Sequence, residues 1–389
     1  MERVSLYAAN RMIGGSDAVV ASLPARAVGT SYPDRIIHML LTSSEPLADS
    51  DLRPILILGG SGFIGTRLAA LLKDRHIPFR IGDLRKSESF PEHWSECDVR
   101  RRESLTDLVS GAAAIVNLAA AHRDDVRPIS LYRETNVDGA SEVCAAARCA
   151  GIQKIVFTSS VAVYGFQPAP VDESGPFAPF NEYGKTKLEA EGIYRSWAQE
   201  DPSRTLVIVR PTVVFGEGNR GNVYNLLHQI ATGRFLMVGP GNNVKSMAYV
   251  GNVAAFLVHA LTLGPGARVF NYVDGPDMDT RTLVAHIRHC LNRRGTNLRL
   301  PKTAALAAGH LLDAVAHLTG RTFPISAIRV RKFCESTQFR ADRISQTGFV
   351  PPFSLSGGLD RTIRFDFPDK VTKASEIAAG NGSGTIMDH

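Results

Sequence analysis

The sequence predicts an α/β protein in which a Rossmann-like doubly wound parallel sheet is followed by a smaller part. Five short apolar segments alternate with segments of helical pattern, an order typical of βαβ units with helices on both faces of the sheet. A glycine-rich turn joins the first apolar segment to the first helical one. The 389 residues, with 44% hydrophobic content, suffice for a large core in one domain or in two closely joined domains.

The predicted strands are apolar runs that stop at polar or glycine-rich positions. They are ILIL at 55–58, FRIG at 79–82, AAIVNLAA at 113–120, KIVFTSS at 154–160 and TLVIV at 205–209. From Asn219 onward the alternation loosens, and a mainly helical portion is expected around 280–320. Within it, the apolar residues of 304–318 fall at helical spacing, which predicts an amphipathic packing helix with two ordinary histidines, His310 and His317.

Composition excludes several classes of protein. The net charge is +6, but the basic residues are scattered, so nucleic acid is not an expected partner. No uncharged apolar run reaches the roughly 18 residues of a membrane span. Five cysteines form no CxxC pair and no zinc-type spacing with the histidines, which favours reduced thiols in a cytoplasmic protein without disulfides or metal.

The glycine-rich turn has the features of a dinucleotide-binding loop. In LILGGSGFIG, Gly59, Gly62 and Gly65 lie between a strand and the helix-like TRLAALLK, and Phe63 and Ile64 of this loop are expected to contact the cofactor with them. Glycines there let backbone amides approach a pyrophosphate at the positive end of the helix. In this strand-turn-helix context we predict a dinucleotide site rather than a plain turn.

An acidic residue at the end of the next strand indicates which dinucleotide binds. Asp83 lies eighteen positions after Gly65, where a carboxylate accepts hydrogen bonds from the adenosine ribose and repels a 2′-phosphate. NAD is therefore favoured. NADP stays possible because Arg85 and Lys86 follow closely and could pair with that phosphate.

Further along the chain, NEYGKTKLEAE places Tyr183 and Lys187 four positions apart, on one face of a helix. The lysine is expected to lower the pKa of the phenol, so that Tyr183 can exchange a proton with a substrate oxygen. Ser160, at the end of the strand KIVFTSS, is expected to hydrogen-bond that oxygen. Proton transfer beside a nicotinamide is a self-consistent redox chemistry.

In this order the motifs resemble those of the extended short-chain dehydrogenases/reductases, in the NAD-dependent epimerase/dehydratase family. The matching segments, spread over roughly 53–366, are GGSGFIG, Asp83, CDV, NLAA, NVDGA, SSVAVYG, YGKTK and RPTVVFG. The resemblance implies a Rossmann-like NAD-binding domain over 53–218 with a return near 245–275. It also implies a small C-terminal α/β substrate-binding domain, mainly over 219–366, and a nucleotide-sugar substrate between the two.

The resemblance also assigns roles to single residues. Asp98 and Val99 match adenine contacts, Ala119 a nicotinamide-side backbone contact, and Ser160, Tyr183 and Lys187 the catalytic triad. It implies a homodimer formed by the helices near 130–150 and 183–199. The ends of the chain lie outside the resemblance: 1–50 is expected to be a loose extension and 370–389 a disordered tail.

The reaction is narrowed by the residues after Ser160. Family dehydratases carry an Asp-Glu pair there, whereas this chain has Val161 and Ala162, so dehydration is disfavoured and redox at one carbon remains.

The nucleotide pocket is predicted from four further positions. Asn222 and Lys245 match positions that bind the nucleotide diphosphate; the alternative is that both are ordinary polar residues of the surface. The usual Asn of RxxN and acid of VxD are replaced by Val213 and Asn252, a departure from the commonest epimerase pocket.

Four functions follow, in order of preference. The segment HRDDVRPISLY is similar to bacterial UDP-sugar 4-ketoreductases of surface-polysaccharide synthesis, in which Arg123 or Arg127 would contact the substrate. The nearest alternative is a UDP-hexose or UDP-N-acetylhexosamine 4-epimerase with a retained cofactor. A catalytically silent NAD-binding scaffold is the third, and the complete triad argues against it. Steroid or flavonoid reduction is weaker still, since it needs neither Asn222 nor Lys245.

Overall fold

The computed structural model describes residues 53–123, 125–167, 170–293, 299–319 and 327–371. The extension predicted for 1–50 lies outside the described residues, as does the predicted tail 370–389 except for Lys370 and Val371, which are helical.

Thirteen strands are formed by the described residues, and seven of them build one parallel sheet. The strands are β1 Ile55–Leu58, β2 Phe79–Asp83, β3 Trp94–Glu96, β4 Ala114–Asn117, β5 Lys154–Thr158, β6 Thr205–Pro211, β7 Val213–Phe215, β8 Met237–Val238, β9 Val244–Lys245, β10 Met247–Tyr249, β11 Gly266–Tyr272, β12 Met278–Asp279 and β13 Arg299–Leu300. The large sheet has the order β11-β6-β5-β4-β1-β2-β3, and every pair in it is parallel. The predicted Rossmann-like doubly wound fold is confirmed.

Each of the five predicted segments contains one strand, and the differences lie at the ends. KIVFTSS leaves the sheet after Thr158, so Ser159 and Ser160 stand beyond its carboxyl edge. AAIVNLAA likewise leaves it after Asn117. In a doubly wound sheet this edge is where ligands bind, so these polar ends already point to the site.

The described helices cover both faces of this sheet and build the smaller part. They are α1 Phe63–Asp74, α2 Arg102–Val109, α3 Ser130–Arg133, α4 Gly139–Cys149, α5 Glu182–Gln199, α6 Asn222–Ala231, α7 Val250–Ala260, α8 Thr280–Cys290, α9 Lys302–Thr319, α10 Ala327–Cys334, α11 Asp342–Ser345 and α12 Leu355–Asp366. Residues of β1 alternate between two cores: Ile57 packs with α1 and α7, and Leu58 packs with α4 and α5.

A third core holds the smaller part together. It joins α6, α8 and α12 to β10 through residues such as Leu227, Ile287, Leu359 and Tyr249. Before the chain reaches α8, α7 and β11 return to the large sheet, where β11 pairs with β6. Among the described helices, none combines the length and the apolar character needed to cross a membrane.

All five cysteines are free thiols, and one of them belongs to a polar cluster that sequence spacing did not single out. His286 and Cys290 of α8 meet Asp360 of α12, with potential ligand atoms within 4.8 Å of one another. His286 Nε2 lies 2.8 Å from the Asp360 carboxylate, and the Cys290 thiol donates to the same oxygen at 3.1 Å. These hydrogen bonds explain the cluster as a link between the two helices.

Candidate active site

The glycine loop brings the backbone of β1 against the segment that follows β4. Gly59 has φ +74, and a Cβ added there would lie 2.6 Å from the amide nitrogen of Ala119. Gly62 caps α1 with extended backbone and no side-chain hydrogen bond, so the first amides of α1 are not claimed by a capping side chain. A dinucleotide pyrophosphate fits this arrangement of close backbone and helix N-terminus.

Substitution of Gly59 by Ala should disrupt this loop more than an equally strained control. Gly111→Ala is matched, because Gly111 has φ +70 but would place its Cβ in open space. We expect the control to cost about 1 kcal/mol through backbone conformation alone. Gly59→Ala should cost more and lower NAD affinity, because the Ala119 backbone must also move. Urea unfolding and NAD titration measure both effects, and equal losses in the two variants would contradict the assignment.

Asp83 ties the glycine loop to the end of β2. Its carboxylate accepts hydrogen bonds from the amides of Ser61 and Arg85, both at 3.0 Å. The indole of Trp94 donates to its backbone carbonyl at 3.0 Å. Asp83 thus has a structural role in positioning the loop, in addition to the ribose contact that the sequence predicts.

The predicted adenine contacts have strong partners inside the protein. The Arg100 guanidinium lies 2.7 Å from Asp98, and its hydrogen bonds hold the pKa of this carboxyl below its usual range. Val99 is buried, 3.1 Å from where Gly139 would carry a Cβ. The adenine contact of Asp98 and Val99 stays a prediction.

Buried side chains fix the backbone at Ala119. Asn117 Oδ1 accepts the Ala119 amide at 3.0 Å, while Asn117 Nδ2 donates to the Tyr194 hydroxyl at 2.6 Å. Phe63 and Ile64, at the start of α1, pack their partly buried side chains against the core of the smaller part. Ala119 and the start of α1 therefore flank the loop, as the predicted cofactor contacts require.

Helix α5 carries the predicted catalytic pair and begins just before it. Asn181 caps the helix by accepting the Gly184 amide at 2.9 Å. Lys187 is only 1% exposed. Its ammonium donates to the Thr158 carbonyl at 2.8 Å and lies 4.7 Å from the centre of the Phe157 ring. The helix thus reaches under the carboxyl end of β5.

The charges of this pair differ from the sequence-based expectation. Burial raises the pKa of Tyr183 to about 12, and hydrogen bonding to the Ser160 hydroxyl opposes that rise. Burial also lowers the pKa of Lys187 to about 7, against the opposing effect of Glu191. The prediction that Lys187 lowers the pKa of Tyr183 is wrong for the protein alone, because desolvation dominates and the ammonium is directed to Thr158.

Two supporting residues were missed by sequence reasoning. Asn136 is buried in a π-helical turn, Glu134–Asp138. Its amide accepts from Ala121 N at 2.9 Å and donates to Thr186 Oγ1 at 3.0 Å. Glu191, one turn beyond Lys187, accepts two hydrogen bonds from buried Arg210. The segment NVDGA belongs to the family resemblance, but the sequence does not show that Asn136 links the Ala121 backbone to Thr186 of α5 by hydrogen bonds.

The predicted substrate residues lie at different places. Arg123 is exposed two positions after Ala121, and its carbonyl accepts from the Tyr132 hydroxyl. Asn222 is exposed at the first position of α6. Lys245 lies in β9, and burial lowers its pKa while nearby Glu335 opposes this. The substrate contacts of all three residues stay predictions.

A pair of aromatic rings precedes Tyr183. Phe166 and Phe180 stack with ring centres 4.5 Å apart, and each is nearly half exposed. Phe180 immediately precedes the capping residue Asn181, so the pair stands at the entrance to α5. An exposed aromatic face there can pack on the apolar face of a sugar.

Comparison with known proteins identifies the family. The model of the NAD dependent epimerase/dehydratase family matches residues 55–272, which is more than half of the chain and includes all seven strands of the large sheet. The chain belongs to that family. Members are enzymes that depend on NAD, so the cofactor of this epimerase/dehydratase-family protein is NAD, in agreement with the glycine loop and Asp83.

Individual relatives extend the match beyond that region. This family member is 46% identical over 330 residues to an N-acetyl-α-D-glucosaminyl-diphospho-ditrans,octacis-undecaprenol 4-epimerase of Escherichia coli O157:H7, covering 83% of the chain and 99% of the relative. It is 28% identical to a UDP-glucose 4-epimerase of Vibrio cholerae, covering 80% and 94%. MoeE5, solved with UDP-glucose and NAD, shares the fold with a TM-score of 0.64 at 21% identity, covering 81% and 99%.

Proposed function

We propose that the protein is an NAD-dependent 4-epimerase of an N-acetylhexosamine that is linked through diphosphate to a polyprenol. The supporting observation is the 46% identity over 99% of the Escherichia coli relative, whose substrate is of this kind. The sequence alone favours a UDP-sugar 4-ketoreductase over a 4-epimerase. The 4-epimerase is now the better supported of the two, because both relatives described above are 4-epimerases.

The departures from the usual nucleotide pocket favour a carrier other than a nucleoside. Val213, in place of the usual asparagine, is 44% exposed and offers no hydrogen bond from its side chain. Asn252, in place of the usual acid, is buried, donates to Asp274 at 2.9 Å and exchanges hydrogen bonds with the Phe353 backbone. Both changes are consistent with a substrate in which a lipid replaces the nucleoside.

The chain's own residues supply the proton transfer. The glycine loop and the Ala119 backbone would hold NAD, which would supply the hydride acceptor and donor for redox at sugar C4. Tyr183 Oη takes the proton of the C4 hydroxyl during oxidation and gives it back during reduction. Ser160 Oγ hydrogen-bonds the same sugar oxygen, while the Lys187 ammonium donates to the Thr158 carbonyl and so positions α5 at the end of β5. Val161 and Ala162 open the turn after Ser160 and provide no second acid or base for dehydration.

The pKa values define the resting state of this machinery at pH 7. With a pKa of about 12, Tyr183 is protonated and ready to donate a proton to a carbonyl oxygen. With a pKa of about 7, Lys187 is divided between its charged and neutral forms. The proton-acceptance step needs the deprotonated form of Tyr183, which additional positive charge near the phenol would favour.

Ser160 and its neighbour Ser159 offer a matched test of the hydroxyl role. The Ser160 side chain accepts the Ala162 amide at 3.1 Å and touches Tyr183. Ser159 Oγ is buried without a hydrogen-bond partner in the described part of the chain. We expect Ser160→Ala to lower kcat by about 10²-fold, and Ser159→Ala to leave it nearly unchanged. Equal effects would remove Ser160 from the reaction.

The function itself is tested with purified protein and no added nicotinamide. We expect the protein to retain NAD and to convert N-acetylglucosaminyl-diphospho-undecaprenol into its N-acetylgalactosaminyl epimer, measured by chromatography of the sugar after mild acid release. UDP-N-acetylglucosamine should react much more slowly. Faster turnover of the UDP-sugar would overturn the lipid carrier. NADH consumption with a UDP-4-keto-6-deoxy sugar, without epimerisation, would restore the ketoreductase.

Two further expectations belong to this proposal. Lys245 and Asn222 bind the diphosphate, and Arg123 contacts the substrate from the segment after Ala121. The protein forms a homodimer through α3, α4 and α5, as the family resemblance implies. Light scattering of the purified protein tests the dimer, and a monomer at micromolar concentration would exclude it.

A further inference from the structure

Helix α9 buries one face and leaves a second apolar face exposed. Ala305 and Gly309 are buried. Four apolar residues at spacings of three and four share the exposed face: Ala304, Ala307, Ala308 and Leu311. The predicted packing role therefore describes only half of this helix, and the predicted histidines, His310 and His317, are both exposed.

An apolar stripe of this kind is unusual for a helix that faces only water. Leu311 is 66% exposed, among the most exposed large apolar side chains of the described residues. Helices on a protein surface normally turn their polar side to solvent. A helix with one packed face, one exposed apolar stripe and polar residues beside it resembles those that lie in a membrane interface.

The backbone connects this helix to Lys245, the predicted diphosphate residue. Helix α10 packs against α9, and its last residue is Cys334. Three residues later, Thr337 forms a β-bridge with Lys245. Lys302, the first residue of α9, and Lys245 both act electrostatically on the Cys334 thiol. The start of α9 and the predicted diphosphate site are therefore neighbours.

Positive charge accompanies the apolar stripe at this end. Lys302 and Arg299 are both exposed where the chain enters α9. Basic residues beside an apolar helix face favour anionic phosphate groups at a bilayer surface. The apolar stripe would thus contact the hydrocarbon of the bilayer, while Lys302, Arg299 and Lys245 would lie near the phosphates of a lipid diphosphate.

We infer that the exposed face of α9 docks on the bilayer that carries the polyprenyl diphosphate substrate. This rests on the proposed function. A polyprenyl chain stays in the bilayer because each exposed CH₂ costs about 0.8 kcal/mol, so its diphosphate sits at the membrane surface. An enzyme that acts on this diphosphate must approach that surface with the diphosphate site facing it. Helix α9 does this by lying in the interface beside Lys245.

The test uses the full-length protein and vesicles of phosphatidylcholine, with and without phosphatidylglycerol, in a co-sedimentation assay without substrate. We compare A308Q/L311Q with T303Q/H310Q, a control pair that changes two exposed residues of the same helix outside the stripe. Wild type and control should bind both kinds of vesicle, more strongly with phosphatidylglycerol. The stripe variant should bind at least about tenfold more weakly, and its KM for the lipid-linked substrate should rise in parallel.

Several results would overturn the docking site. They are equal vesicle binding by the two variants, no vesicle binding by wild type, or a dimer that only the stripe variant dissociates, which would assign the stripe to a second copy of the chain. Stronger vesicle binding after removal of residues 1–52 would instead mean that this segment covers the stripe in the full-length protein. Because vesicle binding is measured without substrate, failure of the epimerase assay leaves this result readable by itself.

Discussion

Replacement of Tyr183 by Phe is expected to lower epimerisation by about 10³-fold while the protein stays folded and keeps its NAD. General acid–base groups contribute about 10²–10⁴-fold, and this phenol is the only group assigned to exchange the C4 hydroxyl proton. Its hydroxyl interacts with Ser160, so the substitution removes one hydrogen bond and no packing volume. The measurement is kcat with the lipid-linked sugar, together with the absorbance of retained NAD.

A tyrosine outside the site separates catalysis from stability. Tyr272 is the last residue of β11, and its buried hydroxyl donates to the Asp274 carboxylate at 3.2 Å. Tyr272→Phe also removes one buried hydroxyl, and it should cost stability but leave kcat within about twofold. If Tyr183→Phe retains more than a tenth of wild-type turnover, another group moves the proton, and the mechanism proposed above is wrong.

Much of the fold and of the site follows from where apolar strands end. Asp83, Ala119 and Ser160 each come at or after the end of a strand, and parallel strands bring those ends to one edge. Spacing on a helix places Tyr183 and Lys187 on one face. These relations are local, so the sequence alone predicts them, and the family model and the sheet confirm the fold that they imply.

Other properties of the site depend on how deeply each side chain is buried, which the spacing of residues in the sequence does not show. Tyr183 and Lys187 look like a phenol beside an ammonium, yet burial moves their pKa values in opposite directions, to about 12 and about 7. Asn136 works through a π-helical turn that no repeat in the sequence announces. The α9 stripe has the same periodicity as a packed face, and only its exposure distinguishes the two.

A buried ion pair behind Lys187 carries the second large effect. Arg210 and Glu191 are each 1% exposed and lie 2.5 Å apart. Removing one partner of such a pair typically costs 3–5 kcal/mol. Glu191→Gln should therefore lower the free energy of unfolding by about 4 kcal/mol near pH 6, since it leaves Arg210 and Lys187 without their anionic neighbour. Glu189→Gln, two positions along α5, breaks only an exposed pair with Arg133 and should cost less than about 1 kcal/mol.

The pH dependence distinguishes this account from simple loss of packing. Lys187 has a folded pKa of about 7, against about 10.4 in an unfolded chain. Between these values the unfolded state binds more protons, so wild-type stability rises with pH over this range. Glu191→Gln lowers the folded pKa of Lys187 further, which makes the charged form costlier at pH 6 but matters less at pH 9, where Lys187 is neutral. Urea unfolding of the cofactor-free protein should therefore show a smaller loss at pH 9 than at pH 6. A loss independent of pH would place the whole effect on Arg210 and separate Glu191 from the catalytic lysine.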